Sequence, residues 1–142
     1  MVSIISAPSN HQHLEQLADW FTAQWEPVDV YRGAQPGFIV PDPLLAVESD
    51  QLLAGLALSR YKAADGEQWA IWINALIVAP SHRGRGIASM LITAAESAAV
   101  TVQATEIFAK TDVPDLYRKL GWIDLAEEDD SVILKKVLSV GA

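Results

Sequence analysis

Cysteine is absent from this chain, and with it go disulfides, thiolate zinc sites and any cysteine nucleophile. That absence fits a reducing cytoplasm, which is the location expected. Positive charge is scarce too, with 10 Lys and Arg against 18 Asp and Glu and a formal net charge of -8. A nucleic-acid binder would need a basic face, so no nucleic-acid partner is expected. The acidic surplus mildly favours cationic partners such as amines, although acidity also serves solubility alone. Long apolar runs are missing as well. The stretch 52–58 is broken by Gly55 and falls well below the roughly 18 residues a membrane span requires. Met1-Val2-Ser3-Ile4-Ile5 has neither the basic region nor the apolar length of a secretion signal, so no membrane partner is expected. Repeats, low-complexity tracts and linkers are lacking, and residues 1–142 read as a single domain. A chain of this length buries about two-thirds of the surface it exposes when unfolded, enough for a core without staples.

Hydrophobic content of 51% supplies that core, and its spacing suggests the elements. Residues 2–5 read as a strand. Pro8, Ser9 and Asn10 are helix-start signals, and Leu14, Leu17, Ala18, Phe21 and Trp25 then fall on one helical face. Residues 29–43 carry Gly33, Gly37, Pro36, Pro41 and Pro43 and read as a loop that could edge a binding site. Residues 44–48 and 52–61 form a hairpin about Ser49-Asp50, and a turn at Ala64-Asp65-Gly66 leads to a third strand, 67–78. A helix to about Val100 follows, then a strand over 105–110. Residues 111–114 start another helix, with Asp112 able to cap it, and Gly121 stops it in the left-handed conformation. Residues 122–125 and 131–137 close the chain as a hairpin around an acidic turn. The derived order is an α/β sheet of mixed direction. Trp20, Trp25, Trp69 and Trp72 are core candidates. His11 and His13 lie two apart on a helix and point in different directions, so no metal site is expected.

The turn before the central helix carries the clearest chemistry. Residues 78–88 read Val-Ala-Pro-Ser-His-Arg-Gly-Arg-Gly-Ile-Ala, between an apolar strand and a helix whose Ile87, Met90, Leu91, Ala94, Ala95 and Ala98 share one face. Two glycines leave room for a bulky group against the backbone, and the unpaired N–H groups of a helix start favour an anion. Arg83 and Arg85 add guanidinium charge on either side of Gly84, a combination suited to a pyrophosphate. A dinucleotide-binding turn would need a third glycine where Ser89 stands, and an NTPase loop would need a terminal Gly-Lys-Ser/Thr. Neither pattern fits.

Arg83-x-x-Gly86-x-Ala88 after Val78-Ala79-Pro80 resembles the acetyl-coenzyme A signature of the GNAT superfamily of N-acetyltransferases, Gln/Arg-x-x-Gly-x-Gly/Ala. Residues 115–122, Asp-Leu-Tyr-Arg-Lys-Leu-Gly-Trp, resemble the same family's late helix. The resemblance covers most of the chain, and these two regions are its specific parts. It implies an α/β, GNAT-like fold, with a mixed, mostly antiparallel central sheet flanked by helices. It also implies an acetyl-CoA-dependent N-acetyltransferase acting on an amine substrate, with no metal, and suggests a homodimer. Carried over by position, the main chain of Leu76, Ile77 and Val78 would meet the pantetheine arm. Arg83, Gly84, Arg85, Gly86, Ile87, Ala88 and Ser89 would hold the pyrophosphate, and Asp112 would lie beside the coenzyme. Tyr117 would be the general acid, since a phenol can return a proton to a departing thiolate.

One position departs from the family pattern. Four residues before Val78, where many members carry a glutamate that takes the amine's proton, stands Asn74. An amide aligns water or substrate but accepts no proton at neutral pH. Three accounts are open: the amine arrives neutral, another carboxylate such as Glu48, Glu106 or Asp112 acts, or catalysis is weak. The third account motivates an alternative, a non-catalytic acyl-CoA-binding module. A phosphate-binding domain with no coenzyme role is a further alternative.

Overall fold

The computed structural model describes residues 1–8, 11–24 and 40–138. Among these, seven strands form one sheet: β1 (Ser3–Ser6), β2 (Leu44–Glu48), β3 (Gln51–Lys62), β4 (Trp69–Val78), β5 (Glu106–Thr111), β6 (Ile123–Glu128) and β7 (Ser131–Val137). Their order across the sheet is β1-β2-β3-β4-β5-β7-β6, and every neighbouring pair is antiparallel except β4 with β5. That parallel pair needs a crossover, which α2 (Ile87–Thr101) provides. Helix α1 (Leu14–Gln24) lies on the opposite face, and the short α3 (Asp115–Arg118) follows β5.

Local chemistry accounts for the turns. Ser49 and Asp50 both take positive φ, 50° and 63°, the twist a tight two-residue hairpin requires between β2 and β3. Gly121 stops the segment after α3 at φ 93°, as its sequence position suggests. The start of α3 differs from expectation. The Thr111 hydroxyl accepts from the Val113 N–H at 3.0 Å, and the helix begins only at Asp115, with Pro114 rather than Asp112 at its N-cap and no side-chain cap bond.

Two apolar layers cover the sheet. On one face Ile87, Leu91, Ile92, Ala95 and Ala99 of α2 pack on Leu56, Leu58, Ile71, Ile73, Ile107 and Ala109. On the other, Leu14, Leu17 and Phe21 of α1 meet Leu45, Leu52, Ala57 and Ala75. Each fully buried leucine contributes about 1.5–3 kcal/mol relative to exposure. Gly55 allows α1 to come this close, because a Cβ there would run into the buried Leu17 side chain. Of the tryptophans offered to the core, Trp69 is instead 49% exposed at the start of β4. Trp72 is half-buried and stacks on Phe108 at 5.2 Å and 25°, away from the α2 layer that holds Ile71 and Ile73. Trp25 and most of the 29–43 loop lie outside the described residues.

The feature that shapes the site is a slip in register. Ala57 pairs with Ala75 but Leu58 pairs with Ile73, which leaves Asn74 as an extra residue on β4. A bulge of this kind re-aims the side chains beyond it. Ile71 and Ile73 join the α2 layer, Ala75 and Ile77 turn to the α1 layer, and Leu76 and Val78 return to the α2 side. It also bends β4 away from its parallel partner: β4 and β5 pair only across Ile71–Ile73 and Ile107–Ala109. From Asn74 onward β4 has no strand along that edge among the described residues.

Candidate active site

Where β4 and β5 part, a cavity of about 600 Å³ opens. Residues 73–78 of β4 form one wall, and Lys110, Thr111, Asp112 and Val113, with Leu116 and Tyr117 of α3, form the other. One end reaches Arg83 and Ala88 beside α2. Gln24 at the end of α1, together with Asp130 and Ser131 of the closing hairpin, also lines it. The cleft thus joins the two faces of the sheet.

At the α2 end, the chain leaves β4 through a 3₁₀ turn at Pro80–His82. Ala79 N–H donates to Leu53 O at 2.9 Å, and the Arg83 Nε donates back to Val78 O at 3.1 Å, which fixes the turn against the strand end. Gly84 and Gly86 take φ 79° and 78°, left-handed values that a side chain strains, and a Cβ on either would meet nothing within 4 Å. Gly86 precedes α2 without a side-chain cap, and the first helical bond runs from Met90 N–H to Gly86 O at 3.2 Å. The N–H groups of Ile87, Ala88 and Ser89 therefore lie in the first turn, where no intrahelical acceptor exists. Ser89 Oγ is buried there with no partner among the described residues. Open backbone, free donors and an orphaned hydroxyl suit the oxygens of a pyrophosphate, so these residues fit the coenzyme. The side chain of Ile87 itself is buried in the core, leaving its main chain for that role. Arg85 is turned aside: its Nη1 donates to His82 Nδ1 at 3.0 Å and its Nη2 lies 3.8 Å from Glu48.

Tyr117 sits inside the cleft with only 3% of its surface exposed. Its ring meets Trp122 edge-on, and no hydrogen bond holds its hydroxyl among the described residues. Burial pushes the phenol above its usual range, so it is a proton-bearing group at every physiological pH. Behind it stands a network that sequence reasoning missed. Trp122 Nε1 donates to Glu96 Oε2 at 3.1 Å, Lys136 Nζ lies 2.8 Å from Glu96 Oε1, and the same ammonium donates to Leu120 O at 2.7 Å. A signal existed, because Glu96 is the one charged residue within α2.

Asn74, Leu76, Ile77, Val78, Arg83, Ala88, Asp112 and Tyr117 all line the cleft, whereas Gly84, Arg85, Gly86, Ile87 and Ser89 form the turn beside it. Of the three carboxylates offered as proton acceptors, two are elsewhere. Glu48 pairs with the Met1 amino group at 3.3 Å, and Glu106 pairs with Lys135 at 3.1 Å. Asp112 does line the cleft, and Asp130, read from sequence only as part of an acidic turn, joins it. No cluster of His, Asp and Glu among the described residues could hold a metal ion.

Comparison with known proteins agrees with this architecture. The Acetyltransferase (GNAT) family profile matches residues 8–122. Among solved structures, Arabidopsis thaliana Naa50 in complex with the bisubstrate analogue CoA-Ac-MVNAL superposes with a TM-score of 0.70 at 20% identity, over 96% of this chain and 99% of that one. Arabidopsis thaliana NAA60 in complex with acetyl-CoA gives 0.72 at 15% identity, covering 97% of this chain and 100% of that one. The N-acetylglutamate synthase of Neisseria gonorrhoeae, complexed with coenzyme A and N-acetyl-glutamate, gives 0.70 at 18% identity, over 98% of this chain and 35% of that one. No curated protein matches the sequence. The chain belongs to the acetyltransferase (GNAT) family.

Proposed function

We propose that this protein transfers acetyl directly from acetyl-CoA to a primary amine within the β4–β5 cleft, with Tyr117 as the acid that returns a proton to the departing thiolate. The observation that carries this reading is that the buried Tyr117, whose hydroxyl has no partner among the described residues, lines the same cleft as the edge of β4 that no described strand covers. Direct transfer needs a held thioester and a neutral amine beside it, and positioning supplies much of the rate. The main-chain groups of Leu76, Ile77 and Val78 on the edge away from β3 would hold the pantetheine arm as a neighbouring strand would. Gly84, Gly86, the first N–H groups of α2, Ser89 Oγ and the charge of Arg83 would hold the pyrophosphate, with Arg85 adding charge at the rim. Asn74, the bulged residue, would align the amine or a water through its amide. Asp112 remains as the carboxylate beside the coenzyme and the candidate to take the amine's proton.

An amine of a peptide or of a small molecule fits this scheme, as the peptide-bearing analogue bound to Naa50 and the product bound to the synthase illustrate for those proteins. A cytoplasmic location is part of the same reading and rests on the lack of cysteine. The test is thiol release from acetyl-CoA with a panel of amines, for wild type and Tyr117→Phe. Loss of the phenol lowers kcat about 10²–10⁴-fold with coenzyme binding intact. An unchanged kcat removes Tyr117 from the chemistry, and tight coenzyme binding without turnover of any amine favours a binding module.

A further inference from the structure

We propose that the preferred acceptor is an aliphatic amine carrying a second positive charge, held by Asp112 and Asp130 at the open end of the cleft. This rests on the acetyltransfer reading and names its substrate class. Among the described residues, four charged side chains line the cleft: Arg83, Lys110, Asp112 and Asp130. Both cations are engaged. Arg83 Nε is bound to Val78 O at the coenzyme end, and Lys110 Nζ lies 3.4 Å from Glu128. Neither Asp112 nor Asp130 has an ion-pair or hydrogen-bond partner among the described residues. Strand register brings the two together. Thr111 pairs with Val132, so Asp112, the residue after β5, and Asp130, the residue before β7, sit at the same end of adjacent strands. A second observation, independent of these charges, points to a ligand at this place: Tyr117, buried and with no partner for its hydroxyl among the described residues, lines the same cavity.

The charge balance then selects the ligand. A monoamine that arrives as an ammonium gives its one proton to one carboxylate. The second carboxylate is left facing solvent or substrate without a counter-charge, and a second ammonium a few bonds away fills that deficit. Asp112 serves the reacting nitrogen, and Asp130, at the hairpin, serves the spectator charge. An anionic amine is disfavoured by the same pair.

The experiment compares putrescine, n-butylamine and γ-aminobutyrate, which share a four-carbon frame and differ in charge, as acceptors with acetyl-CoA at low salt. Lysine amide is the arm that separates a free diamine from a basic residue of a peptide. We expect kcat/KM to favour putrescine over n-butylamine about tenfold, with γ-aminobutyrate poorest, and the preference to shrink with added salt. Asp130→Asn raises the putrescine KM and narrows the preference, whereas Glu127→Gln, which removes an exposed hairpin charge outside the cleft, leaves it in place. Calorimetry of the same amines on the protein with CoA reads the site without turnover. Tighter binding of putrescine with no acetylation would keep the dication site and overturn the transfer reading. Equal binding or equal acetylation of putrescine and n-butylamine overturns the dication site and leaves the transfer reading standing.

Discussion

The Tyr117 ring stands edge-on to Trp122, with centroids 5.1 Å apart and planes at 72°. Trp122 is itself held, because its indole N–H donates to Glu96 on α2, and Glu96 is bridged by Lys136 to the main chain of Leu120. Three elements, α2, β7 and the turn after α3, thus converge on the wall behind the proposed acid. An edge-to-face pair of this kind contributes about 0.5–1.5 kcal/mol beyond burial.

Glu96→Ala leaves the Trp122 indole N–H and the Lys136 ammonium without their acceptor. The expected cost is about 1–3 kcal/mol of stability, read from urea denaturation midpoints. Glu96→Gln, whose amide oxygen can still accept from the indole, should recover part of it. A full loss with Gln would mean that the charge pairing to Lys136, rather than the indole bond, carries the effect.

Tyr117 also predicts an alkaline limb. Its folded-state value is raised by burial, so its contribution to stability is complete below the ordinary phenol value near pH 10 and is lost as pH rises through the folded value. Wild type should therefore lose stability more steeply than Tyr117→Phe above about pH 10. Below that, ionisation of this phenol causes no fall in kcat. A kcat limb between about pH 7 and 9 that disappears in Tyr117→Phe would contradict the assignment.

Arg118 ties α3 to β6 through Asp124, with Nε to Oδ1 at 3.0 Å and Nη2 to Oδ2 at 2.5 Å, while its Nη1 reaches Asp115 at 2.8 Å. The hydrogen bonds from Arg118 hold the Asp124 carboxyl below its usual range. A depressed folded-state value means a contribution present above the unfolded value near 4 and lost as pH falls through the folded one. The stability difference between wild type and Asp124→Asn should be present at neutral pH and vanish in strong acid. Because both groups are exposed, it should also shrink with added salt.

Much of this fold is legible in order of elements, and less in registers. The β2–β3 hairpin, the helix after Gly86 and the strand 131–137 follow from spacing and turn chemistry, because each is decided within a few residues. The bulge at Asn74 is different. Residues 71–78, Ile-Trp-Ile-Asn-Ala-Leu-Ile-Val, are apolar apart from Asn74 and carry no alternation that marks a slip, and only the pairing with β3 defines it. Asp130 was hidden for a related reason. It reads as one of four acidic turn residues until β7 inserts between β5 and β6 and brings it beside Asp112. The Asp112 cap failed because the helix starts later than the sequence suggests, with Pro114 at its N-cap.

Gly55 tests the packing between α1 and the sheet. A methyl group there would strike the Leu17 side chain, which is fully buried and has nowhere to retreat. Gly55→Ala should destabilise by about 1–3 kcal/mol, the range for overpacking a well-filled core. Gly55→Ala combined with Leu17→Ala should cost less than the sum of the two single changes, since the smaller partner makes room. Additive losses would instead place the strain in the backbone of β3.

Gly86 tests the coenzyme site apart from the chemistry. With φ at 78° it opens α2, and the space its missing side chain leaves is free. Alanine at this left-handed position should cost about 1–2 kcal/mol in the protein alone, whereas aspartate adds a negative charge at the helix start where phosphate oxygens would lie. Acetyl-CoA at a hundred times its Kd should stabilise wild type by about 2.7 kcal/mol, a rise in Tm on the order of 10 °C. Arg83→Ala should reduce that rise and Gly86→Asp should abolish it, each variant being compared with its own Tm without ligand. A full shift retained in Gly86→Asp would mean that the pyrophosphate does not lie against this turn, and the anion site would have to be sought elsewhere in the cleft.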